Sequence, residues 1–269
     1  MEKHVNTFTS IDQLGNKIKI SFPPKRIISL VPSQTELLFD LGLDEEVVGI
    51  TRFCIHPKEK VKSKATIGGT KNFDFKKIKS LQPDLIIGNK EENYEEGIIE
   101  LKKHFPVWMS DIFTLEDSCK MMNEVARITY REKQGQEIID EIKSSFSKLS
   151  TVNCQPSTVA YFIWRKPYMV AAKNTFIDFM LHVVGVKNVF KDLERYPEIN
   201  PAQLAERKPD FIFLSSEPYS FSEKHFDEFK EFYPKAKVVL VDGEMFSWFG
   251  SRLKYAAKYF EELKQALNA

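Results

Sequence analysis

The stretch KRIISLVPSQTELLFDLGL, residues 25–43, contains the pattern that decides the fold. Its apolar run Ile27–Val31 shows no polar alternation, which is typical of a strand buried on both faces. Pro32 and an apolar-periodic segment follow, and Ser33 and Glu36 have the spacing of a helix capping box. The stretch therefore predicts a strand that turns directly into a helix.

The turn at Ser33 supports two interpretations. Its backbone N–H groups suit a ligand carboxylate or phosphate, whereas Ser33 and Glu36 explain an ordinary N-cap without any ligand. The patterns GxGxxG, GxxxxGK[ST] and GxSxG are absent from the sequence. We therefore favour the cap, with the turn at the rim of a ligand cleft and Ser33 near the ligand.

The same alternation of helix and strand continues through both halves of the chain. Residues 73–89 and 200–216 match each other closely, because each has a short helix, a Pro-Asp pair and a buried strand. Such alternation predicts parallel βαβ units. The weak duplication predicts an α/β protein with two Rossmann-like lobes of similar topology, and residues 8–22 predict a hairpin ahead of the first lobe.

The segment between the two halves has a different pattern. Residues 115–149 contain no proline and only one glycine, Gly135, and their apolar residues recur at helical spacing. We expect one long interdomain helix here, with Gly135 as the place for any break. The predicted organisation is an amino-terminal lobe at 1–114, a connecting helix at 115–150 and a carboxy-terminal lobe at 151–269, which begins with a loop.

Composition and charge narrow the classes of function. The 39 Lys and Arg residues nearly balance the 38 Asp and Glu residues, which argues against a nucleic acid or an anionic membrane held by bulk electrostatics. No apolar run approaches the roughly 20 residues needed to span a bilayer. We expect a monomer.

The start of the sequence shows no secretory signal, which places the chain as given in the cytoplasm. A removed export signal would place it in the periplasm or outside the cell.

The cysteines and histidines predict no metal site. The three cysteines are far apart and form neither a CxxC motif nor a disulfide framework, and the five histidines lack metal-ligand spacing. The 22 phenylalanines are an excess that suits a core, or a cleft for a large flat ligand.

Loops after predicted strands hold the candidate binding residues. In an open α/β sheet these loops gather at one edge, where ligands bind. The sequence places aromatic and charged residues in four of them: Arg52–Pro57, Asn89–Asn93, Trp164–Met169 and Gly243–Arg252. We therefore predict a shared cleft between the lobes.

The chain resembles the helical-backbone (class III) solute-binding proteins of ABC importers for cobalamin, haem and ferric siderophores. The resemblance covers roughly residues 12–267 and rests on motifs that occur in the family's order. These are PPKRIISLVPSQTELLFDLGL, VVGIT, LQPDLIIG, VGVKNVFKD, PAQLAERKPDFIFL and the GSR before the last helix. It implies two α/β lobes joined by one stiff helix, with a ligand bound between them and no catalysis.

The resemblance also implies a set of ligand contacts. Phe53 and Tyr196 match the family's cleft aromatics by position, and the loop at 243–252 supplies another wall. The full predicted set is Ser33, Phe53, His56, Lys90, Asn93, Trp164, Tyr168, Tyr196, Glu244, Phe246 and Trp248. A corrinoid such as cobalamin is the best single ligand, and a ferric siderophore or another metal chelate is the alternative; no covalent cofactor, catalytic residue or resident metal is expected.

Two departures from the family's pattern bear on whether a permease is the partner. Family members dock on a permease through one glutamate on each lobe, and the matching positions here look like Lys76 and Ala202. Lysine in place of a carboxylate replaces attraction by repulsion, although Asp74 or Glu206 lies close enough in sequence to substitute. The second departure is the missing export signal.

Two other functions remain open at this point. An enzyme acting on a bound small molecule would use Glu91, Glu92 or His56 as acid or base. A protein-interaction module would place a peptide in the aromatic cleft.

Overall fold

The computed structural model describes residues 6–149 and 157–268, apart from the side chain of Asn268. The chain forms two compact units. Unit 1 comprises Met1–Ile112, Glu116–Ser144 and Phe249–Lys254, and unit 2 comprises Phe113–Leu115, Ser145–Trp248 and Tyr255–Ala269. Unit 1 therefore includes most of the predicted connecting helix and a short segment from near the end of the chain. The predicted loop over 150–156, with Cys154, lies outside the described residues.

The first half of the chain alternates between strands and helices. Its elements are β1 (Thr7–Ile11), β2 (Lys17–Ser21), β3 (Ile27–Ser29), α1 (Pro32–Asp40), β4 (Val47–Ile50), α2 (Lys58–Val61), β5 (Ala65–Thr66), β6 (Gly68–Gly69), β7 (Asn72–Phe73), α3 (Phe75–Ser80), β8 (Leu85–Asn89), α4 (Glu95–Lys102), β9 (Val107–Ser110), α5 (Leu115–Ile128) and α6 (Glu132–Ser147).

Unit 1 is built on a parallel sheet with strand order β5-β4-β3-β8-β9. Strands β3, β8 and β9 are buried along their whole length, which explains their unbroken apolar sequences. The predicted hairpin is present as β1 and β2, which pair antiparallel with Thr7 opposite Ser21. A second small hairpin joins β6 to β7.

The second half of the chain also alternates between strands and helices. Its elements are β10 (Thr158–Trp164), β11 (Tyr168–Val170), α7 (Phe176–Val184), β12 (Lys187–Asn188), β13 (Glu198–Ile199), α8 (Pro201–Arg207), β14 (Phe211–Ser215), a 3₁₀ turn at Glu223–His225, α9 (Phe226–Phe232), β15 (Lys237–Val241), α10 (Gly243–Ser247) and α11 (Leu253–Asn268).

The sheet of unit 2 has the order β13-β11-β10-β14-β15, and β12 pairs with β10. Strands β10, β14 and β15 are parallel, like β3, β8 and β9 of unit 1. The units differ at the next position, where unit 1 has the parallel strand β4 and unit 2 has the antiparallel strand β11. The predicted duplication is therefore present in the parallel strands and ends at that edge of the sheet.

The two Pro-Asp pairs perform the same structural task in both units. The carboxylate of Asp84 accepts hydrogen bonds from the backbone N–H groups of Lys25 and Arg26, each at 2.8 Å. The carboxylate of Asp210 accepts one from the backbone N–H of Thr158 at 2.7 Å. Each aspartate thus fixes the start of the neighbouring parallel strand, which explains why the motif recurs.

The predicted helical segment is present, but it is broken at a different position from Gly135. The segment forms two helices, α5 and α6, and the break lies at residues 129–131, where Tyr130 has a positive φ of 60°. Gly135 lies inside α6, where a Cβ atom would come within 2.3 Å of the Cβ of Ala126. Glycine therefore serves close packing of α6 against α5, and it does not mark the break.

Two further properties follow from the described helices and side chains. Within residues 6–149 and 157–268, no helix has both the length and the apolar character needed to cross a membrane. Cys54 and Cys119 are free and buried, and burial raises the pKa of both thiols. Both are therefore protonated components of the interior.

The contact at Gly135 gives a prediction that opposes intrinsic helix propensity. Alanine normally stabilises a helix interior by about 1 kcal/mol relative to glycine. Because the added methyl group meets Ala126, we expect Gly135→Ala to lower the free energy of unfolding by about 1–2 kcal/mol. Urea denaturation followed by circular dichroism measures the change. Gln134→Ala, at the exposed neighbouring position, should be nearly neutral; a Gly135→Ala variant more stable than the parent protein would contradict the packing argument.

Candidate functional site

The start of α1 differs from the predicted capping box. The helix has Val31 at its N-cap with no side-chain cap, and Pro32 occupies the first helical position. Proline suits that position because its φ is preset and its missing N–H needs no partner. Ser33 consequently lies within the first turn, buried, and its Oγ has no hydrogen-bond partner among the described residues. The cap interpretation is wrong, and the prediction that Ser33 lies near the ligand stays a prediction.

Glu36 is unavailable for capping because it forms a buried ion pair. Its carboxylate accepts hydrogen bonds from Arg252 Nε at 2.8 Å and Arg252 Nη2 at 2.7 Å. Both side chains are about nine-tenths buried. Burial raises the pKa of Glu36, and the Arg252 guanidinium opposes that rise. The pair attaches the segment Phe249–Lys254 to α1 within unit 1.

Three segments form one connected rim at the carboxyl edge of the unit 1 sheet. The backbone N–H of Arg52 donates to Gly68 O at 2.9 Å, which joins the loop after β4 to the β6–β7 hairpin. Lys71 Nζ donates to Glu91 O at 2.8 Å, which joins that hairpin to the loop after β8. The predicted gathering of these loops is therefore present, with the β6–β7 hairpin as an additional part.

A buried polar network supports the rim from below. Asn93 Oδ1 accepts from the backbone N–H of Asn89 at 2.9 Å, and Asn93 Nδ2 donates to Leu30 O and Thr70 O. Ser110 Oγ accepts from Gln34 Nε2 at 2.7 Å and from Asn89 Nδ2 at 3.0 Å. The network holds the loops after β3, β8 and β9 together. The predicted contact residue Asn93 is buried within it, with both amide atoms bound to protein groups.

Phe53 is the exposed aromatic side chain of this rim. The residue is 53% exposed, and its ring lies against Gly69, where a Cβ atom would come within 3.2 Å of the ring. The Arg52 guanidinium lies 6.0 Å from the ring centroid, and Arg52 forms no ion pair among the described residues. An aromatic face beside a cation, both open to solvent, suits a flat ligand that carries acceptor groups.

The other two predicted residues of unit 1 lie at the same edge. Lys90 is exposed and pairs with Asp111 at 2.8 Å. His56 is half-buried and contributes to the electrostatic environment of Glu36. Glu91 and Glu92, the alternative acid–base candidates, are half-buried, and their backbone N–H groups donate to Asn89 Oδ1 at 2.8 and 3.1 Å.

In unit 2, Trp164 is an exposed aromatic residue at the carboxyl end of a parallel strand. It ends β10 with 39% of its surface exposed, and its ring packs edge-to-face on Tyr219 at a centroid distance of 5.7 Å. Tyr219 belongs to the loop after β14. Two aromatic rings thus stand at the carboxyl edge of the unit 2 sheet.

Tyr168 belongs to a charged cluster behind Trp164. Its hydroxyl donates to Glu228, and Arg165 pairs with the same carboxylate at 2.9 Å. Burial, together with the hydrogen bond to Glu228, raises the pKa of Tyr168 to about 12. Tyr168 therefore stays a neutral donor and holds the β10–β11 hairpin in place through Glu228.

Glu217 anchors the predicted loop at residues 243–252. Its Oε1 accepts from Ser247 Oγ at 2.5 Å and from Trp248 Nε1 at 2.9 Å. A Cβ atom at Gly243 would come within 2.6 Å of Glu217 Cγ. Burial raises the pKa of Glu217, and the two hydrogen bonds oppose that rise. Trp248 is buried, with its indole nitrogen committed to this carboxylate.

The remaining predicted residues of unit 2 are less exposed than Trp164. Part of the expected loop at 243–252 is the helix α10, and Glu244 lies half-buried in its first turn. Phe246 has no exposed surface, because it packs between Tyr161 and Phe260 at centroid distances of 5.1 and 4.9 Å. Tyr196 is half-buried.

Sequence reasoning missed the loop after β14. That loop supplies Glu217 and Tyr219, and Ser-Ser-Glu-Pro directly after a buried strand was the pattern that could have indicated it. Arg52 also follows a predicted strand, and it directly precedes Phe53, which is one of the predicted ligand contacts. No sequence pattern indicated Lys71, because it lies in the short β6–β7 hairpin and does not follow one of the predicted strands.

The described residues contain no group of three or more His, Cys, Asp or Glu side chains able to hold a metal ion. In each unit, the carboxyl edge instead combines an exposed aromatic ring with a cation and hydrogen-bonding groups. Such an edge suits the binding of an organic ligand.

The fold and this arrangement define a class of protein. The chain belongs to the periplasmic binding protein family, whose model matches residues 27–234. The two α/β units and their parallel sheets are those expected of the family.

Individual relatives agree with this assignment. The vitamin B12-binding protein of Vibrio campbellii is 25% identical over 197 residues, which cover 72% of this chain and 71% of that protein. The ABC transporter substrate-binding lipoprotein YvrC of Bacillus subtilis is 27% identical over 76% of this chain and 68% of its own. A possible iron-binding periplasmic solute-binding protein of Staphylococcus epidermidis superposes with a TM-score of 0.76 at 25% identity, covering 92% of this chain and 100% of the other.

The Glu36–Arg252 pair yields a stability prediction. Arg252→Met leaves a buried carboxylate without its cation, so we expect the free energy of unfolding to fall by about 3–5 kcal/mol. Adding Glu36→Gln should recover part of that loss. Lys254→Met is the matched control, because its pair with Asp40 is more exposed and should contribute less. Equal losses for the two single variants in urea denaturation would contradict the argument.

Glu217 yields a pH prediction. Since its pKa is raised above the ordinary 4.5 in the folded state, the folded protein binds more protons than the unfolded chain just above that pH. The free energy of unfolding therefore falls as pH rises through this window. Glu217→Gln keeps the acceptor oxygen and removes the titration. The free energy of unfolding of this variant, relative to that of the parent protein, should therefore increase from pH 4 to pH 7. The increase should be roughly 1.4 kcal/mol per unit of raised pKa.

Urea denaturation at several pH values measures this difference. Glu223→Gln, at an exposed position in unit 2, is the control and should run parallel to the parent protein. If Glu217→Gln also runs parallel to the parent at every pH, the pKa of Glu217 is not raised.

Proposed function

We propose that this protein is a non-catalytic solute-binding protein for a corrinoid or another metal chelate, with cobalamin as the best single ligand. The observation that carries the proposal is an exposed aromatic ring at the carboxyl edge of each sheet, Phe53 in unit 1 and Trp164 in unit 2. Membership of the periplasmic binding protein family supports binding as the function.

Three properties of the two edges suit such a ligand. Macrocycles and chelates offer flat apolar faces, for which aromatic rings are the natural contacts. Their amide and carboxylate substituents need donors, and Arg52 and Lys71 supply these in unit 1. The buried network around Asn93 and Ser110 fixes the rim before any ligand arrives, which reduces the entropy lost on binding. Ser33, His56, Lys90, Tyr196 and Glu244 are secondary candidates for contact.

The names of the relatives support this ligand class. Vitamin B12 is the ligand named for the Vibrio campbellii protein, and iron is named for the Staphylococcus epidermidis protein. Both names describe binding proteins, which favours binding over the enzymatic alternative with Glu92 and His56 as acid and base.

An ABC permease is the proposed partner, and the space outside the cytoplasmic membrane is the proposed location. The Bacillus subtilis relative is named as an ABC transporter substrate-binding lipoprotein. Lys76 and Ala202, which match the family's docking positions, are exposed. Asp74 caps α3 through the backbone N–H of Lys77, whereas the corresponding cap of α8 is the neutral Asn200. Asp74 in unit 1 and Glu206 in unit 2, both exposed, are the proposed substitutes for the docking carboxylates.

A ligand panel tests the proposal. We expect cobalamin, cobinamide, haem or a ferric siderophore to bind at micromolar concentration or better, measured by calorimetry and by quenching of tryptophan fluorescence. Phe53→Ala and Trp164→Ala should each weaken binding by about tenfold, because each removes one stacking surface. Absence of binding by every member of the panel would refute the function.

Matched substitutions separate stacking from general surface effects. Ile99→Ala in unit 1 and Tyr255→Ala in unit 2 remove exposed apolar side chains that lie on helices instead of in loops after strands. Both control variants should bind like the parent protein. If ligand binds but Phe53→Ala and Trp164→Ala have no effect, the proposed contacts are wrong although the function stands.

A further inference from the structure

The outer face of the β1–β2 hairpin carries exposed apolar and cationic side chains together. Ile11 is 64% exposed and lies directly opposite Lys17, and Leu14 at the turn is 38% exposed. Lys19 is also exposed on β2, opposite Thr9. The inner face is different, because Ile18 and Ile20 are buried in unit 1. The exposed residues therefore contribute nothing to the core that the hairpin covers.

The lysines of this face line a groove. Its volume is about 420 Å³, and it is formed by β2 and the segment that follows α4. Lys17 and Lys19 of β2 line the groove together with Lys102, His104 and Phe105. Among the described residues, Lys17, Lys19 and Lys102 have no carboxylate partner. The nearby Glu100 already pairs with Lys103 at 2.6 Å and with His104 at 3.6 Å.

Ordinary structural roles explain only part of this arrangement. Lys102 closes the last turn of α4, where a cation is favoured by the helix dipole. Lysines on a two-stranded edge also discourage pairing with another chain. Exposed Ile11 and Leu14 have the opposite effect, since apolar side chains promote association. The combination therefore indicates a surface that meets something both anionic and apolar.

We propose that the outer face of the hairpin, defined by Ile11, Leu14, Lys17 and Lys19, forms together with Lys102 of α4 a contact surface for anionic phospholipid headgroups. Lysines near such a surface are attracted individually, and apolar side chains beside them insert at the headgroup boundary. A pocket for a free phosphate compound would favour arginine forks, which bind phosphate oxygens in pairs, and no arginine lines the groove.

This surface is compatible with the near-neutral composition of the chain. The 39 basic and 38 acidic residues exclude attraction by net charge, but attraction within a Debye length of about 8–10 Å depends on the local charge. The hairpin is also held firmly: Ser10 Oγ accepts from Trp108 Nε1 at 3.1 Å, and the backbone N–H of Gln13 donates to Met109 O at 3.0 Å. The face is therefore presented as a fixed surface.

Flotation with lipid vesicles tests the proposal. We expect the protein to float with vesicles of phosphatidylcholine mixed with phosphatidylglycerol and to remain unbound with pure phosphatidylcholine, and added salt should abolish flotation. Lys17→Gln/Lys19→Gln/Lys102→Gln should reduce binding by about a hundredfold, roughly fivefold for each lysine. Ile11→Ser/Leu14→Ser should weaken it without changing its dependence on salt.

A matched variant and two further measurements complete the test. Lys58→Gln/Lys133→Gln/Lys224→Gln changes the net charge equally at exposed positions elsewhere and should float like the parent protein. Equal loss in this variant, equal binding to both kinds of vesicle, or no flotation would overturn the proposal. So would displacement by pyrophosphate at constant ionic strength, which would show a phosphate pocket. The ligand panel applied to the hairpin variants keeps this result separate from the proposed function.

Discussion

The buried ion pair between Glu36 and Arg252 is the interaction on which the arrangement of unit 1 depends. It joins side chains that are 216 positions apart in sequence. The segment around it fits α1 closely, since a Cβ atom at Gly250 would come within 2.4 Å of Ser33 O. Ser118 Oγ also donates to Phe249 O at 2.5 Å. Two neutral contacts and one charged pair thus seat a carboxy-terminal segment among amino-terminal helices.

The contact between this segment and α1 determines how the first turn of α1 is stabilised. A Ser-x-x-Glu sequence normally satisfies two N–H groups of a helix through its own side chains. Here the glutamate is committed to a distant arginine, and Pro32 occupies the first helical position, so that Ser33 lies inside the helix instead of at its cap. A tertiary contact therefore replaces a local one, and the first turn of α1 is stabilised by burial instead of by a side-chain cap.

The sequence predicted the parts of the fold that follow from local periodicity. Unbroken apolar runs identified β3, β8 and β14. The errors at Glu36 and Gly135 have one cause, because the partners of both residues are distant or on another helix. Likewise, nothing local distinguishes Phe246, which is in the core, from Phe53, which is on the surface.

The position of the aromatic residues decides how much their abundance says about a ligand. Most of the rings in unit 2, among them Phe162, Phe229 and Phe246, pack against one another inside the unit. The excess of phenylalanine is therefore chiefly a property of the core, and it says little about whether the protein binds an apolar ligand. What distinguishes the candidate site is the exposure of single rings at strand ends, where Phe53 rests on a glycine and Trp164 on a tyrosine. Each ring is supported on one side, so its exposed face is available for contact with a smaller loss of conformational freedom than an unsupported ring would undergo.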